Sequence, residues 1–283
     1  MDELFGDLKE GDRLGNYQIV SEIGKGGMSH VYKATFLVTG QERALKVLPP
    51  NSSDERVSAL KWEAEISHAI GEHPNIVRVY EEGEQNGWSY LGMELINGES
   101  LESLIKRGVK PGVRRSLEIA ASVAYGLEYI HGRNIFHADI KPGNILVNDH
   151  VKITDFGIAY DANRKRPLLQ KGIIIGTVNF IAPERIYAAK DPSCPDARTD
   201  IYSLGAALYH MLTGNLPFDD KTDRDVMTNI LIGMPASPSG RNKDIPASVS
   251  ELCLKALEKE PEKRFHSARE FIEAADKVLN SCI

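Results

Sequence analysis

An α+β architecture of two lobes, a small sheet-rich lobe leading into a larger helical one, follows from three features of the chain. Runs with a period of two fill the first third, a 3.6-residue period takes over after Gly98, and 283 residues are enough to bury a sizeable core as one large domain or two modest lobes. Strands followed by runs of helices segregate into such a plan. The expected boundaries are an N-terminal extension over 1–16, a sheet lobe over 17–96 and a helical lobe over 97–283. Ligands favour the cleft that such a plan creates.

The elements follow in order. Alternating runs at 17–24, 29–36, 41–48, 76–84 and 87–95, separated by turn residues, predict a five-stranded sheet. Between the third and fourth runs, Val57, Leu60, Ala64 and the stretch from Ile66 to Ile70 predict a helix over 54–70, closed by Gly71 and Pro74. Beyond Gly98, Ser100 caps a short helix over 101–107. A helix over 113–131 places Leu117, Ala120, Ala124, Leu127 and His131 on one face and stops at Gly132. Leu204, Leu208, Met211 and Leu212 mark another, over about 200–213, that ends before Gly214. The last stretch reads as two helices broken at Pro261, and 234–250 as a Pro- and Ser-rich loop inside the large lobe.

Composition narrows the function classes. With 42% apolar and 26% charged residues, neither disorder nor a coiled coil is favoured. A net charge of −6 argues against a general nucleic-acid binder, yet leaves room for a small anionic site. Cys194, Cys253 and Cys282 are odd in number and outside metal-ligand spacing, so they read as reduced thiols of a cytoplasmic protein. The acidic start MDELFGDLKEGDR is unlike a signal peptide, and no apolar run approaches the roughly 18 residues of a membrane helix. The chain as written is expected to be soluble, with no membrane segment.

Three groups of residues carry chemistry. Gly24, Gly26 and Gly27 lie between two strands, where missing side chains let backbone N–H groups approach phosphates; a plain turn is the competing reading, and Ser29 stands where a third glycine would complete Gly-x-Gly-x-x-Gly. Lys46, on the same strand face as Ala44, is costly to bury without an anionic partner. Glu63 and Glu65 compete for that role; Glu63 is preferred because Ile66 and Ile70 adjoin it, whereas Glu65 is flanked mostly by Ala and His. The stretch HADIKPGNILVNDHVKITDFG supplies the third group. Asp139 suits a base that accepts a hydroxyl proton, Lys141 a cation that neutralises phosphate charge, and Asn144 and Asp155 offer the oxygen ligands that Mg²⁺ prefers. A hairpin over 145–153 brings them together, and such a set supplies what phosphoryl transfer needs.

From about Tyr17 to about Leu279 these motifs resemble the Hanks-type (eukaryotic-like) serine/threonine protein kinases, with GKGGMSHVYKA most like the bacterial branch. The resemblance implies a two-lobed protein-kinase-like fold using ATP with Mg²⁺, or Mn²⁺ as the alternative metal. Ile23, Gly24, Lys25, Gly26, Gly27, Val31, Ala44 and Leu146 would enclose the nucleotide; Lys46, paired with Glu63, would hold its α and β phosphates. Met93 would be the gatekeeper, with the backbone of Glu94 and Ile96 bonding adenine. Asp139 would be the catalytic base, Lys141 the γ-phosphate contact, Asn144 and Asp155 the metal ligands, and Thr177 a bridge between Asp139 and Lys141. It also implies a Glu184–Arg264 pair, an Asp200 that ties the central helix to the catalytic loop, and a His137 packed beneath Phe156. Lysine two residues after the base looks like serine/threonine rather than tyrosine kinases. The implied partners are protein substrates, the chain itself among them; oligomeric state stays open.

The sequence departs from the pattern where the usual His-Arg-Asp reads His137, Ala138, Asp139. In many kinases that arginine grips a phosphate placed on the activation loop, a charge-assisted contact that alanine cannot make. Between Phe156 and Gly176 there is no Ser or Thr and only Tyr160 carries a hydroxyl. The expectation is a kinase not switched by activation-loop phosphorylation, its segment ordered by apolar packing of Leu168, Leu169 and Ile173 to Ile175. The basic run 163–166 with Lys171 reads as a solvated face, or else as a dock for an acidic partner, and Asp219, Asp220, Asp223 and Asp225 read as a solvated loop. Ser29 and Ala138 leave a pseudokinase scaffold as the alternative; a small-molecule phosphotransferase ranks last.

Overall fold

Alternation of apolar and polar residues folds the first part of the chain into one sheet. The computed structural model describes residues 7–25, 29–164, 178–187 and 195–282. It divides into two units, Met1–His73 with Val77–Asn97, and Pro74–Ile76 with Gly98–Ile283.

In the first unit β1 (Arg13–Leu14), β2 (Tyr17–Lys25), β3 (His30–Phe36) and β4 (Gln41–Leu48) precede α1 (Asp54–Ile70), and β5 (Val79–Gln85) and β6 (Trp88–Met93) follow it. All pair antiparallel in the order β1-β2-β3-β4-β6-β5. The expected five strands are therefore six. The extra one is too short to show alternation, and it pairs because Gly15, at φ +56°, turns the chain back so that Leu14 faces Tyr17. The period of two then separates the faces of the sheet. Tyr17, Ile19, Tyr32, Leu45 and Val47 form an aromatic and aliphatic core on one; Leu48 and Leu91 pack with Leu60 and Ala64 of α1 on the other.

The fourth strand, expected from residue 76, begins at Val79. Residues 74–76 belong to the second unit, because Ile153 N–H donates to the Asn75 carbonyl at 2.8 Å and Asn75 Nδ2 to the Val151 carbonyl at 2.9 Å.

The second unit begins with β7 (Glu99–Ser100), α2 (Leu101–Lys106) and α3 (Val113–His131), then β8 (Ile135–Phe136), β9 (Ile145–Val147), β10 (Val151–Ile153) and β11 (Tyr160–Asp161). Next come α4 (Pro183–Tyr187), α5 (Ala197–Thr213), α6 (Asp223–Ile232), α7 (Pro238–Arg241), α8 (Ala247–Ala256) and α9 (Ala268–Cys282). α5 is the axis of this unit. Asp196 and Thr199 form a reciprocal capping box at its start, Gly214 ends it at φ +72°, and it packs against α3 and α8. Around it α3 also packs on α9.

Two readings are corrected here. Asp223 and Asp225 lie in the first turn of α6 rather than in a loop, because the Thr222 side chain accepts the Asp225 N–H and carboxylates favour the positive end of a helix. The Pro- and Ser-rich stretch 234–250 holds α7 and the first turn of α8, with Pro238 at a first-turn position where its missing N–H costs nothing. No helix among the described residues is long and apolar enough to cross a membrane.

Candidate active site

In the first unit, strand register collects the residues that would meet a nucleotide. Gly24 stands opposite Val31, Val31 opposite Lys46, and Ala44 opposite Met93. Directly paired residues share a face, and Ala44 and Lys46 are two apart, so these five lie on one face of the sheet. It is the face that carries α1. Lys46 Nζ donates to Glu63 Oε2 at 2.6 Å, with side chains 15% and 4% exposed. Glu65 points to solvent, because α1 buries Leu60, Glu63, Ala64, Ile66 and Ser67 instead. Ile23 and Lys25 are exposed at the end of β2. The Glu94 N–H donates to the Arg78 carbonyl at 2.8 Å, so its backbone would meet a ligand as an acceptor, through the carbonyl. Ile96 is half-buried.

In the second unit the hairpin β9–β10 does for the acidic residues what register does for Lys46. Ile145 pairs with Ile153 and the Thr154 N–H donates to the Asn144 carbonyl at 3.0 Å, which sets Asn144 beside the residue preceding Asp155. Asp139 is the hub. Its Oδ2 accepts Lys141 Nζ at 2.6 Å and Asn144 Nδ2 at 3.0 Å. Burial pushes the Asp139 carboxyl above its ordinary range; Lys141 and His137 oppose the shift and the Asp155 charge adds to it. Leu146, on β9, is half-buried.

The donor set fits a hard cation bound together with phosphates. Asn144 Nδ2 also donates to the Asp139 carbonyl at 2.9 Å, which fixes the amide so that its oxygen faces away from Asp139. That oxygen and the Asp155 carboxylate make two oxygen donors. Among the described residues no group of three or more His, Cys, Asp or Glu side chains could hold a metal alone. Two protein oxygens are what Mg²⁺ requires when substrate phosphates and water complete its shell.

The loop before Asp139 is held in an uncommon conformation. Ala138 lies at φ +62° and Asp155 at φ +68°, both in the left-handed region that costs a non-glycine residue. Asp200 over-determines the first of these, because its Oδ2 accepts the His137 N–H at 2.9 Å and its Oδ1 the Ala138 N–H at 2.8 Å. His131 Nε2 lies 2.8 Å from the same Oδ2, and since a carboxylate only accepts, that nitrogen carries the hydrogen. Burial works against the Asp200 charge, but the His131 hydrogen bond, the nearby imidazoles and the Ala138 N–H outweigh it and hold the carboxyl below its ordinary range. His137 is fully buried against Phe156, ring centroids 4.8 Å apart; its Nδ1 accepts the Asp139 N–H at 3.2 Å and its Nε2 donates to the Thr154 carbonyl at 3.1 Å. Arg264 grips Glu184 with two parallel bonds of 2.8 Å.

Gly26, Gly27 and Thr177 lie outside the described residues, as do Lys165, Arg166, Leu168, Leu169, Lys171, Ile173 to Ile175 and Cys194. His131 and Tyr160 are functional candidates that sequence reasoning passed over. His131 was one apolar-face member of a helix and Tyr160 a lone hydroxyl; no local pattern links either to Asp200.

The chain is similar to known proteins over most of its length. The family described as protein kinase domain matches residues 17–275. A probable serine/threonine-protein kinase of Clostridium acetobutylicum is 33% identical over 270 residues, covering 94% of this chain and 40% of that protein. Serine/threonine-protein kinase PrkC of Bacillus subtilis is 32% identical, covering 90% and 39%, and serine/threonine-protein kinase PknB of Mycolicibacterium smegmatis 34% identical, covering 90% and 41%. The chain thus spans about 40% of the length of these relatives. With a glycine-flanked sheet face, a Lys46–Glu63 pair and an Asp139 loop within residues 17–275, the chain belongs to the protein kinase domain family.

Proposed function

We propose that the chain transfers the γ-phosphoryl group of ATP to serine or threonine hydroxyls of proteins, itself included, in the cytoplasm. The observation that carries this is the Asp139 carboxylate held by Lys141 and Asn144 in a chain of the protein kinase domain family. Asp139 accepts the hydroxyl proton, and the burial that raises its basicity makes it a better acceptor near neutral pH. Lys141 compensates the negative charge that gathers beside the base. Glu63 holds the Lys46 ammonium toward the face shared by Gly24, Val31, Ala44 and Met93, where it meets phosphate oxygens. Asn144 and Asp155 would hold Mg²⁺, or Mn²⁺ in its place, and the metal with ATP supplies the transferable phosphoryl group and the neutralising charge. Ile23, Lys25, Glu94, Ile96 and Leu146, with Gly26, Gly27 and Thr177, complete the proposed nucleotide and acceptor contacts.

The chain is also proposed to work without activation-loop phosphorylation. Ala138 presents a methyl group where a phosphate grip needs a cation. Two described arginines of this unit are engaged elsewhere: Arg133 lies 3.7 Å over the Tyr129 ring and Arg164 pairs with Asp161 at 3.4 Å.

Labelled ATP with Mg²⁺, offered with a generic protein acceptor, tests the transfer reading. Wild type should label the acceptor, and Asp139→Ala should slow labelling by about 10²- to 10⁴-fold, as loss of a general base does, while sparing ATP binding. Equal labelling by both proteins would refute the assignment, and ATP binding without labelling would make the chain a scaffold.

A further inference from the structure

A file of rings leads from β11 to the carboxylate that holds the catalytic loop. Tyr160 stands opposite Phe136 in the β8–β11 pair, with ring centroids 6.4 Å apart and planes 20° from parallel. Phe136 meets the His131 ring at 5.3 Å. His131 Nε2 is 2.8 Å from Asp200 Oδ2, and Asp200 takes the N–H groups of His137 and Ala138. The next residue is Asp139. Every link is a ring pair or a hydrogen bond.

His131 is the link whose position needs explaining. Its Nδ1 is buried and has no hydrogen-bond partner among the described residues. A ring held at both nitrogens keeps its orientation by hydrogen bonds alone; among the described residues this one is bonded at Nε2 only, and packing against Phe136 supplies a second restraint. Phe136 in turn is half-buried, and the Tyr160 ring stacks on its side, centroids 6.4 Å apart. At the far end Ala138 stays at φ +62° only while its surroundings insist on it.

We propose that Tyr160 is a positioning residue for the transfer reaction: its stack on Phe136 braces His131, and through Asp200 it fixes the peptide that carries Asp139. The brace supplies from inside the chain the order that an arginine at 138 would draw from a bound phosphate. Its catalytic consequence rests on the kinase reading above; its structural consequence does not.

The test compares wild type with Tyr160→Phe, Tyr160→Leu and Tyr160→Ala by two measurements. Amide hydrogen exchange at His137 and Ala138, followed by NMR, reads the brace directly; kcat and KM for ATP read its effect on transfer. Tyr160→Phe keeps the ring and should stay closer to wild type than Tyr160→Leu in both. Tyr160→Leu and Tyr160→Ala should speed exchange at those two amides, and lower kcat, by about three- to ten-fold, the range that one aromatic pair supports, with KM for ATP unchanged. Should Tyr160→Ala fail to fold, the leucine variant keeps the bulk and decides. Unchanged exchange at both amides in Tyr160→Leu would overturn the proposal, and so would faster exchange spread equally over α5 and α9. If wild type transfers no phosphate, the kinase reading falls while the exchange measurement still decides the brace.

Discussion

At the residue scale, the Lys46–Glu63 pair shows how burial sharpens a choice that charge alone leaves open. Glu63 and Glu65 are two apart on α1, so the helix turns one toward Leu60 and Ala64 and the other outward. Removing one partner of a buried pair strands the other charge. Glu63→Ala should therefore lower unfolding free energy by about 3 kcal/mol, the low end for such pairs because Lys46 keeps some water, while Glu65→Ala should stay within about 0.5 kcal/mol. Denaturant titration of both variants reads the difference. Asp200 yields a pH prediction. Its folded carboxyl sits below the ordinary value, so its contribution is present above about pH 4 and is lost as pH falls through the folded value. Asp200→Asn should be less stable than wild type at pH 7, and the gap between their unfolding midpoints should close with acidification below about pH 4. A gap that stayed constant down to pH 2 would mean the hydrogen bonds do not depend on the charge.

At the element scale, end groups decide where helices exist. α6 carries two aspartates in its first turn, which look like a solvated loop until Thr222 is seen accepting the Asp225 N–H at 3.2 Å. Its other end is closed by Lys259, whose Nζ donates to the carbonyls of Asn229 and Ile230 at 3.2 and 2.6 Å. Burial pushes that ammonium down to about 8, still charged at neutral pH. Thr222→Ala should cost about 1 kcal/mol in chemical unfolding, as loss of a helix cap does, and Thr222→Ser should recover most of it. Strand ends are set in the same way. β1 exists because Gly15 turns the chain, and β5 starts late because Asn75 and Ile76 bond to β10 instead.

At the scale of the whole molecule, the absence of Ser and Thr between Phe156 and Gly176 meets an Ala138 with no cationic side chain. The two changes belong together, since a phosphate without a grip and a grip without a phosphate are each useless. Phosphatase treatment of the purified chain should leave its transfer rate within about two-fold of the untreated sample, since no charge-assisted contact is lost. A ten-fold drop would refute the proposal that activity is independent of phosphorylation. The aromatic brace is the counterpart of this loss, because a loop with Ala138 at positive φ still has to be held.

The residues proposed for the site stand out in the sequence because their signals are local. Lys46 two residues after Ala44, and Asp139, Lys141, Asn144 and Asp155 around a short hairpin, are fixed by strand period and turn length, which a sequence states directly. Glu184 with Arg264, 80 residues apart, was legible only through family resemblance. Tyr160, Phe136 and His131 were not legible in either way, because their contact depends on β8 and β11 pairing and on α3 ending beside α5. The sequence by itself determined most of the longer strands and helices and the polar residues proposed for the chemistry; the tertiary structure alone decided the short strands, several element ends and which buried side chains touch. The reason is physical: backbone periodicity acts over a few residues, whereas the close packing that brings distant rings and carboxylates together exists only once the core has formed.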